Sequence, residues 1–160
     1  MTTKRNNISI ACCDLRSAFN TGSIFRTADA ALLEKVYLCG YTPFPPHRKL
    51  ERTSRGTHKT VPWEHRGSIA ELITEKRNES YAIIAVETEE HALCYTDAIY
   101  SRPLMLVVGN EAHGLAQEVL DLADTTVRIP MQGHKNSLNV AVAAGIVVFE
   151  ALKGGEAGGQ

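Results

Sequence analysis

The sequence predicts an α/β domain: a mostly parallel sheet flanked by helices. Two observations carry that prediction. Short runs rich in β-branched and aromatic residues alternate with longer segments of helical character, the order that builds a parallel sheet. Several of the short runs are apolar on both faces, as strands are when helices cover a sheet on both sides. At 160 residues the chain has the length of one domain with a proper core.

The first strand is "ISIACCDL" (8–15), followed by a helix over 21–33 and a second strand, "KVYLCGY" (35–41). "TPFPPH" (42–47) cannot be regular, because its prolines fix φ and lack N–H donors. It opens a long irregular stretch to about residue 66, and long loops in a compact domain are usually functional or disordered. A helix over 67–77 leads to the strands "YAIIAVE" (81–87) and "LMLVVG" (104–109), a helix over 114–122 and the strand "TTVRIPM" (125–131). The last helix, 138–152, is apolar nearly all round, with Leu138, Val140, Val142, Ile146, Val147, Val148 and Phe149. A helix without a polar face is buried on several sides, and a subunit interface is the expected cover. Residues 1–153 read as one domain without internal repeats, and "GGEAGGQ" (154–160) as a flexible end.

The formal net charge of −1 announces no nucleic-acid binder. Its distribution says more. Arg48, Lys49, Arg52, Arg55, Lys59 and Arg66 stand against Glu51 and Glu64, a local +4 that leaves the remainder at −5. Such a segment suits either an anionic partner or a solvated surface. The cysteines, at 12, 13, 39 and 94, form no C-x-x-C, and Cys12 and Cys39 lie inside apolar runs. That fits a reducing compartment. The apolar stretch in "MTTKRNNISIACC" is too short for a signal peptide, and no run reaches the roughly 18 residues of a membrane span. The expectation is a soluble cytoplasmic protein.

Familiar ligand motifs are missing. No G-x-G-x-x-G follows a strand, and in "GNEAHGL" Leu115 stands where a P-loop needs lysine. The six histidines show no H-E-x-x-H or related spacing, so no metal site is expected. G-x-S-x-G is absent as well.

What remains near the predicted strand ends, where open α/β sheets bind ligands, is three polar stretches. In "FNTGSIFRTADA" (19–30), Gly22 permits a tight turn, a helix starts at Asn20 or Thr21, and Arg26 and Asp29 share a helical face. In "VVGNEAHGL" (107–115), Gly109 ends a strand where backbone can approach a ligand, and Glu111 sits by a helix N-terminus that favours a carboxylate. In "IPMQGHKNSLN" (129–139), Ser137 is a natural N-cap for the last helix. A cap leaves Lys135, Asn136 and Asn139 unexplained, and an amide in the first turn of an apolar helix must find partners.

In this order, the three stretches resemble the signature motifs of the SpoU/TrmH class of SPOUT RNA methyltransferases. "NTGSIFRTADA" is similar to the N-x-G-x-x-x-R-x-A core of the first motif and "VVGNEAHGL" to the G-x-E-x-x-G-L of the second. "IPMQGHKNSLNVAVAA" is similar to the third, I-P-M followed by S-L-N-V, and "RTSRGTHKTVPWE" resembles the family's segment between its second and third strands. The resemblance covers roughly residues 8–152. It departs at Leu32, where the family usually has glycine, and in the N-terminal RNA-binding domain of larger relatives. Without that domain, RNA recognition is expected from the domain itself or a partner subunit.

The resemblance implies a C-terminal trefoil knot, a homodimer packed through the last helix, and S-adenosylmethionine held by the "IPM…SLN" segment. The implied cofactor contacts are Val86, Glu87, Gly109, Ile129, Met131, Ser137 and Leu138. The implied reaction is methyl transfer to a ribose 2′-hydroxyl of tRNA or rRNA. Arg26 is then the central catalytic residue, with Asn20, Glu111, Ser137 and Asn139 arranging the site. An arginine is almost always protonated, so Arg26 is read as positioning phosphate or hydroxyl rather than as a base. Arg48, Lys49, Arg52, Arg55 and Lys59 would grip the RNA backbone. No metal is implied, because a sulfonium is already an activated electrophile. The alternatives are a base-nitrogen methyltransferase of the same fold and an RNA-binding module without activity.

Overall fold

Parallel pairing runs through the whole sheet. In a computed structural model that describes residues 3–154, the strands are β1 (Asn6–Cys13), β2 (Leu33–Cys39), β3 (Trp63–Arg66), β4 (Ala82–Val86), β5 (Leu93–Cys94), β6 (Leu104–Val108) and β7 (Thr125–Arg128). Their order is β3-β2-β1-β6-β4-β7-β5, and each neighbouring pair is parallel. The helices are α1 (Ala18–Ala30), α2 (Arg48–Ser54), α3 (Thr57–Thr60), α4 (Ile69–Asn78), α5 (Gln117–Leu122) and α6 (Val140–Lys153).

Alternation along the strands sorts the core into two layers. Ile8, Ile10 and Cys12 of β1 and Leu104, Leu106 and Val108 of β6 face α1 and α6, meeting Ile24, Phe25, Ala144 and Val147. Ala11, Met105 and Val107 point the other way, onto Leu72 and Ile73 of α4 and Val119 of α5. All of β6 is buried, which is why "LMLVV" reads as a continuous apolar run.

Several expected boundaries move, each for a local reason. Helix α1 starts three residues before the expected 21, because Ser17 caps it by accepting from the Asn20 N–H at 3.2 Å. Gly22 therefore lies inside the helix rather than in a turn. A Cβ there would stand 2.7 Å from the Leu50 carbonyl oxygen and 2.8 Å from Thr53 Cβ. Glycine at this position lets α2 lie directly on α1.

The expected irregular stretch to residue 66 is largely ordered: α2, α3 and the edge strand β3 occupy it, with Leu50 and Val61 buried. Residues 41–47 stay irregular there, with short connections at 55–56 and 61–62. The last helix begins at Val140, not 138, and its cap is Asn139 rather than Ser137. The Asn139 side-chain oxygen accepts from the Ala141 and Val142 N–H groups at 2.9 and 3.2 Å. Nor is α6 covered all round within the chain, since Val142 is 51% and Phe149 48% exposed.

Leu32, at the departure from the family pattern, adopts φ +49°, in the left-handed region that glycine occupies without cost. Of the expected flexible end, Gly154 is the C-cap of α6 and residues 155–160 lie outside the described ones. No helix among the described residues is long and apolar enough to cross a membrane.

Candidate functional site

Three adjacent parallel strands, β6, β4 and β7, open at their carboxyl ends onto one cleft of about 360 Å³. Its walls are the segments that leave those strands: Val86 to Thr88, Gly109 to Gly114, then Ile129 and Met131, and Asn136 to Val140 on the way into α6. Cleft formation beyond strand ends is general in open α/β sheets. Here the segments are tied to one another by specific bonds.

Gly109 follows β6, and the chain folds back on it. Asn110 and Gly114 exchange backbone hydrogen bonds at 3.1 and 2.8 Å, and a Cβ on Gly109 would lie 2.6 Å from the Gly114 carbonyl. The closeness required of Gly109 is thus to its own loop. Glu87 fastens that loop to β4, accepting from the Leu115 and Thr88 N–H groups, both at 2.8 Å. Asn110 is buried and fully satisfied. Its amide donates to the Asp14 carbonyl (2.9 Å) and the Tyr41 hydroxyl (3.0 Å), while its oxygen accepts from Ala112 and His113 N–H.

Glu111 reaches across to α1. Its carboxylate accepts from the N–H groups of Arg16 (2.9 Å) and Ser17 (3.1 Å) and from the Asn20 side-chain amide (3.0 Å). The helix N-terminus beside Glu111 is therefore that of α1, far away in sequence. Burial pushes the carboxyl pKa up, but the three donors outweigh it and hold the group below its ordinary value. Asn20 in turn accepts at 3.0 Å from the side-chain amide of Asn139, which caps α6. The three polar stretches are joined side chain to side chain through Glu111, Asn20 and Asn139.

The segment between β7 and Asn139 behaves differently. Residues 129–138 make no hydrogen bond to the other described residues, although the segment carries Gln132, His134, Lys135, Asn136 and Ser137. Its polar side chains are exposed. Ser137 and Leu138 are exposed at the cleft edge.

All seven residues expected to contact a cofactor line the cleft, as do Glu111, Ser137 and Asn139. Asn20 borders it through Glu111 and Asn139. Arg26 does not join them. It is exposed on α1, outside the residues lining the cleft, with no ion pair or hydrogen bond to the described residues. Asp29, on the same helical face, forms no ion pair with it. Arg48, Lys49, Arg52, Arg55 and Lys59 are all exposed along α2 and α3 and likewise lack ion-pair partners among the described residues. Arg66, counted with them in the local charge, is instead committed to Glu64 and Glu75 at 3.3 and 2.6 Å. Sequence reasoning missed Ser17, Asn110, His113 and Arg128. For Asn110 the signal was weak: it is separated only by Gly109 from the apolar run Leu104–Val108, at a strand end where open α/β sheets build their sites.

Residues 7–149 match the model of the SpoU rRNA Methylase family. The chain belongs to that family. It is 31% identical over 151 residues to the tRNA (guanosine(18)-2'-O)-methyltransferase of Aquifex aeolicus, covering 94% of this chain and 71% of that protein. A solved AdoMet-bound rRNA methyltransferase from Sinorhizobium meliloti superposes with a TM-score of 0.87 at 31% identity, over 94% of this chain and 57% of that one. A structure concerned with 2-OH methylation of C/U34 on tRNA gives a TM-score of 0.84 at 26% identity, over 94% of this chain and 97% of that one. Other family members are longer: the chain spans 55% of a putative TrmH family tRNA/rRNA methyltransferase from Staphylococcus haemolyticus. In family terms, the Glu111–Asn20–Asn139 chain links one polar residue from each of the three SpoU motifs.

Proposed function

We propose that this protein is an S-adenosylmethionine-dependent RNA methyltransferase that modifies a ribose 2′-hydroxyl of tRNA or rRNA in the cytoplasm. The observation that carries the reading is the hydrogen-bonded chain Glu111–Asn20–Asn139 at the rim of a cleft that all seven expected cofactor residues line.

The residues present fit the cofactor. Val86, Ile129, Met131, Leu138 and Val140 give the cleft apolar walls, and the uncommitted groups of residues 129–138 supply donors and acceptors. Glu87 and Glu111 against Arg128 leave the lining with an acidic balance suited to a cationic ligand. Bound there, the cofactor supplies a methyl group already activated on a sulfonium. The chain's own task is alignment of a weakly acidic hydroxyl, where positioning contributes about 7–11 kcal/mol. Glu111, already accepting from three donors, is a strut rather than a general base. Arg26 positions the RNA phosphate or the hydroxyl itself, with the phosphate taking up the proton.

A homodimer completes this arrangement. Val142 and Phe149 lie seven residues apart on one open face of α6, a stripe that a second copy would cover. Arg26, outside its own cleft, then serves the cleft of the partner. The C-terminal segment, in this reading, threads as a trefoil knot, and Arg48, Lys49, Arg52, Arg55 and Lys59 hold the RNA backbone. The test is incubation with methyl-tritiated S-adenosylmethionine and RNA from a strain of the source organism lacking the gene, with tRNA and rRNA separated. Label in a 2′-O-methylnucleoside is expected. Label in a methylated base moves the reaction to a base nitrogen, and failure to bind the cofactor removes the enzyme reading.

A further inference from the structure

The stretch that stays irregular after β2 is not loosely held. The Tyr41 N–H donates to Asp14 Oδ1 at 3.1 Å. The buried Thr42 hydroxyl sits between the Cys39 and Cys12 carbonyls, at 2.7 and 3.1 Å, and accepts from the Leu15 N–H at 3.0 Å. Two large rings nevertheless project from this fixed backbone into solvent: Tyr41 is 62% exposed and Phe44 41%. Phe44 lies over the His65 ring, centroids 4.2 Å apart at 32°, with Trp63 at 6.3 Å. The Tyr41 hydroxyl accepts from the Asn110 amide at 3.0 Å, and Asn110 lines the cleft.

Leaving large apolar rings in water forfeits burial that a core position would give. Holding them rigid in water makes sense for a ligand with flat faces. Next along the chain are Arg48, Lys49 and Arg52, exposed on α2 and without ion-pair partners among the described residues. Flat rings beside unpaired cations suit a single-stranded nucleic acid, whose bases stack on aromatic faces while its phosphates meet the cations. A second copy of this chain fits the patch poorly, because an isologous contact would bring the α2 cations of both copies together.

We propose that Tyr41 and Phe44 form a stacking platform for unpaired bases of the substrate RNA, flanking the nucleotide presented to the cleft. This rests on the RNA methyltransferase reading above. Through Asn110, the first ring is fixed to the loop that forms one wall of the cleft, so a stacked base is held in register with the site. Both rings are positioning elements; neither is assigned contact with the reacting atoms.

The probe is a short single-stranded oligoribonucleotide carrying 2-aminopurine, whose fluorescence is quenched when its base stacks. With the full chain, quenching on binding is expected. Tyr41→Ala and Phe44→Ala should each weaken binding and raise KM for RNA about ten- to a hundredfold, with cofactor affinity and sedimentation unchanged. Phe44→Tyr, which keeps the ring, should stay within about threefold; Tyr41→Phe should still quench the probe but, without its bond to Asn110, should lower turnover more than binding. Because Phe44 packs on His65, its alanine variant is read only after a thermal melt; Tyr41→Ala carries the test if that variant unfolds. Alanine variants that bind and quench like the parent, while the parent methylates RNA, would remove the platform and leave the function standing. Lost binding accompanied by a changed sedimentation coefficient would reassign the surface to a contact between copies. A parent protein that binds neither cofactor nor RNA would overturn both.

Discussion

Asn20 and Asn139, 119 residues apart in the chain, share a 3.0 Å side-chain hydrogen bond. Its direction is fixed from both ends. Asn139 must turn its oxygen to the N–H groups of Ala141 and Val142, which leaves its amide for Asn20. Asn20 must turn its amide to the Glu111 carboxylate, which can only accept, and so offers its oxygen to Asn139. A flip of Asn20 would break two bonds and a flip of Asn139 three.

Asn139→Asp separates the cap from the link. Aspartate caps a helix as well as asparagine does, so α6 should keep its start and the melting temperature should fall by only a few degrees. The donor to Asn20 is lost, and a carboxylate faces its oxygen. Methyl transfer should fall about tenfold or more in kcat/KM, measured beside the melt.

Glu111 makes stability depend on pH with a definite sign. Its carboxyl is held below the ordinary value of 4.5, so the stabilisation is fully present above that pH and fades as the pH falls through the lower native value. Glu111→Gln should cost about 1 kcal/mol at pH 7, a figure kept small because the group is exposed. In denaturant titrations, the gap between parent and variant should narrow steadily below about pH 4. A gap that widens there would contradict the assignment.

Gly22→Ala tests the seat of α2. The added methyl meets the Leu50 carbonyl oxygen at 2.7 Å, which backbone cannot easily yield. Overpacking costs about 1–3 kcal/mol, against about 1 kcal/mol gained in helix propensity. The expected result is a lower melting temperature and weaker RNA binding, since the cation-bearing helix is displaced.

Leu32→Asn should stabilise. Leucine at φ +49° pays roughly 1–2 kcal/mol that asparagine largely avoids in the left-handed region. Leu32 is half-buried, so part of the relief is offset by lost contact, and a net gain of about 0.5–1 kcal/mol is expected in thermal unfolding. Turnover should be unchanged.

Salt dependence tests the grip on RNA. Each phosphate neutralised adds about 0.7–0.9 to the slope of log K against log salt. Arg52→Gln and Lys59→Gln should each lower that slope by about this amount. A slope equal to the parent's in both would take α2 and α3 out of the interface.

The sequence made the sheet legible because β1 and β6 are apolar on both faces, which only a twice-covered strand requires. The cleft residues were legible through the motifs. What stayed hidden depends on distant partners. Gly22 read as a turn residue because nothing local reveals Leu50 above it. Ser137 read as the cap because a cap is decided by which side chain reaches the free N–H groups, and Asn139 wins that contest in space. The prolines at 43, 45 and 46 masked the two helices and the strand behind them. Arg26 stands in the right motif, yet the folded single chain leaves it outside its own cleft.

The close seat of α2 on Gly22 has a metrical consequence. One rigid helix, α1, carries Asn20 at the cleft rim and, half a turn on, the point where the cation-bearing helix touches down. In the proposed complex, the span from gripped phosphate to reacting hydroxyl is then a fixed gauge, cut into the helix pair rather than left to a tether. An RNA strand shifted by one nucleotide would still meet the cations but would present the wrong ribose. Choice of nucleotide would begin as a measurement of length.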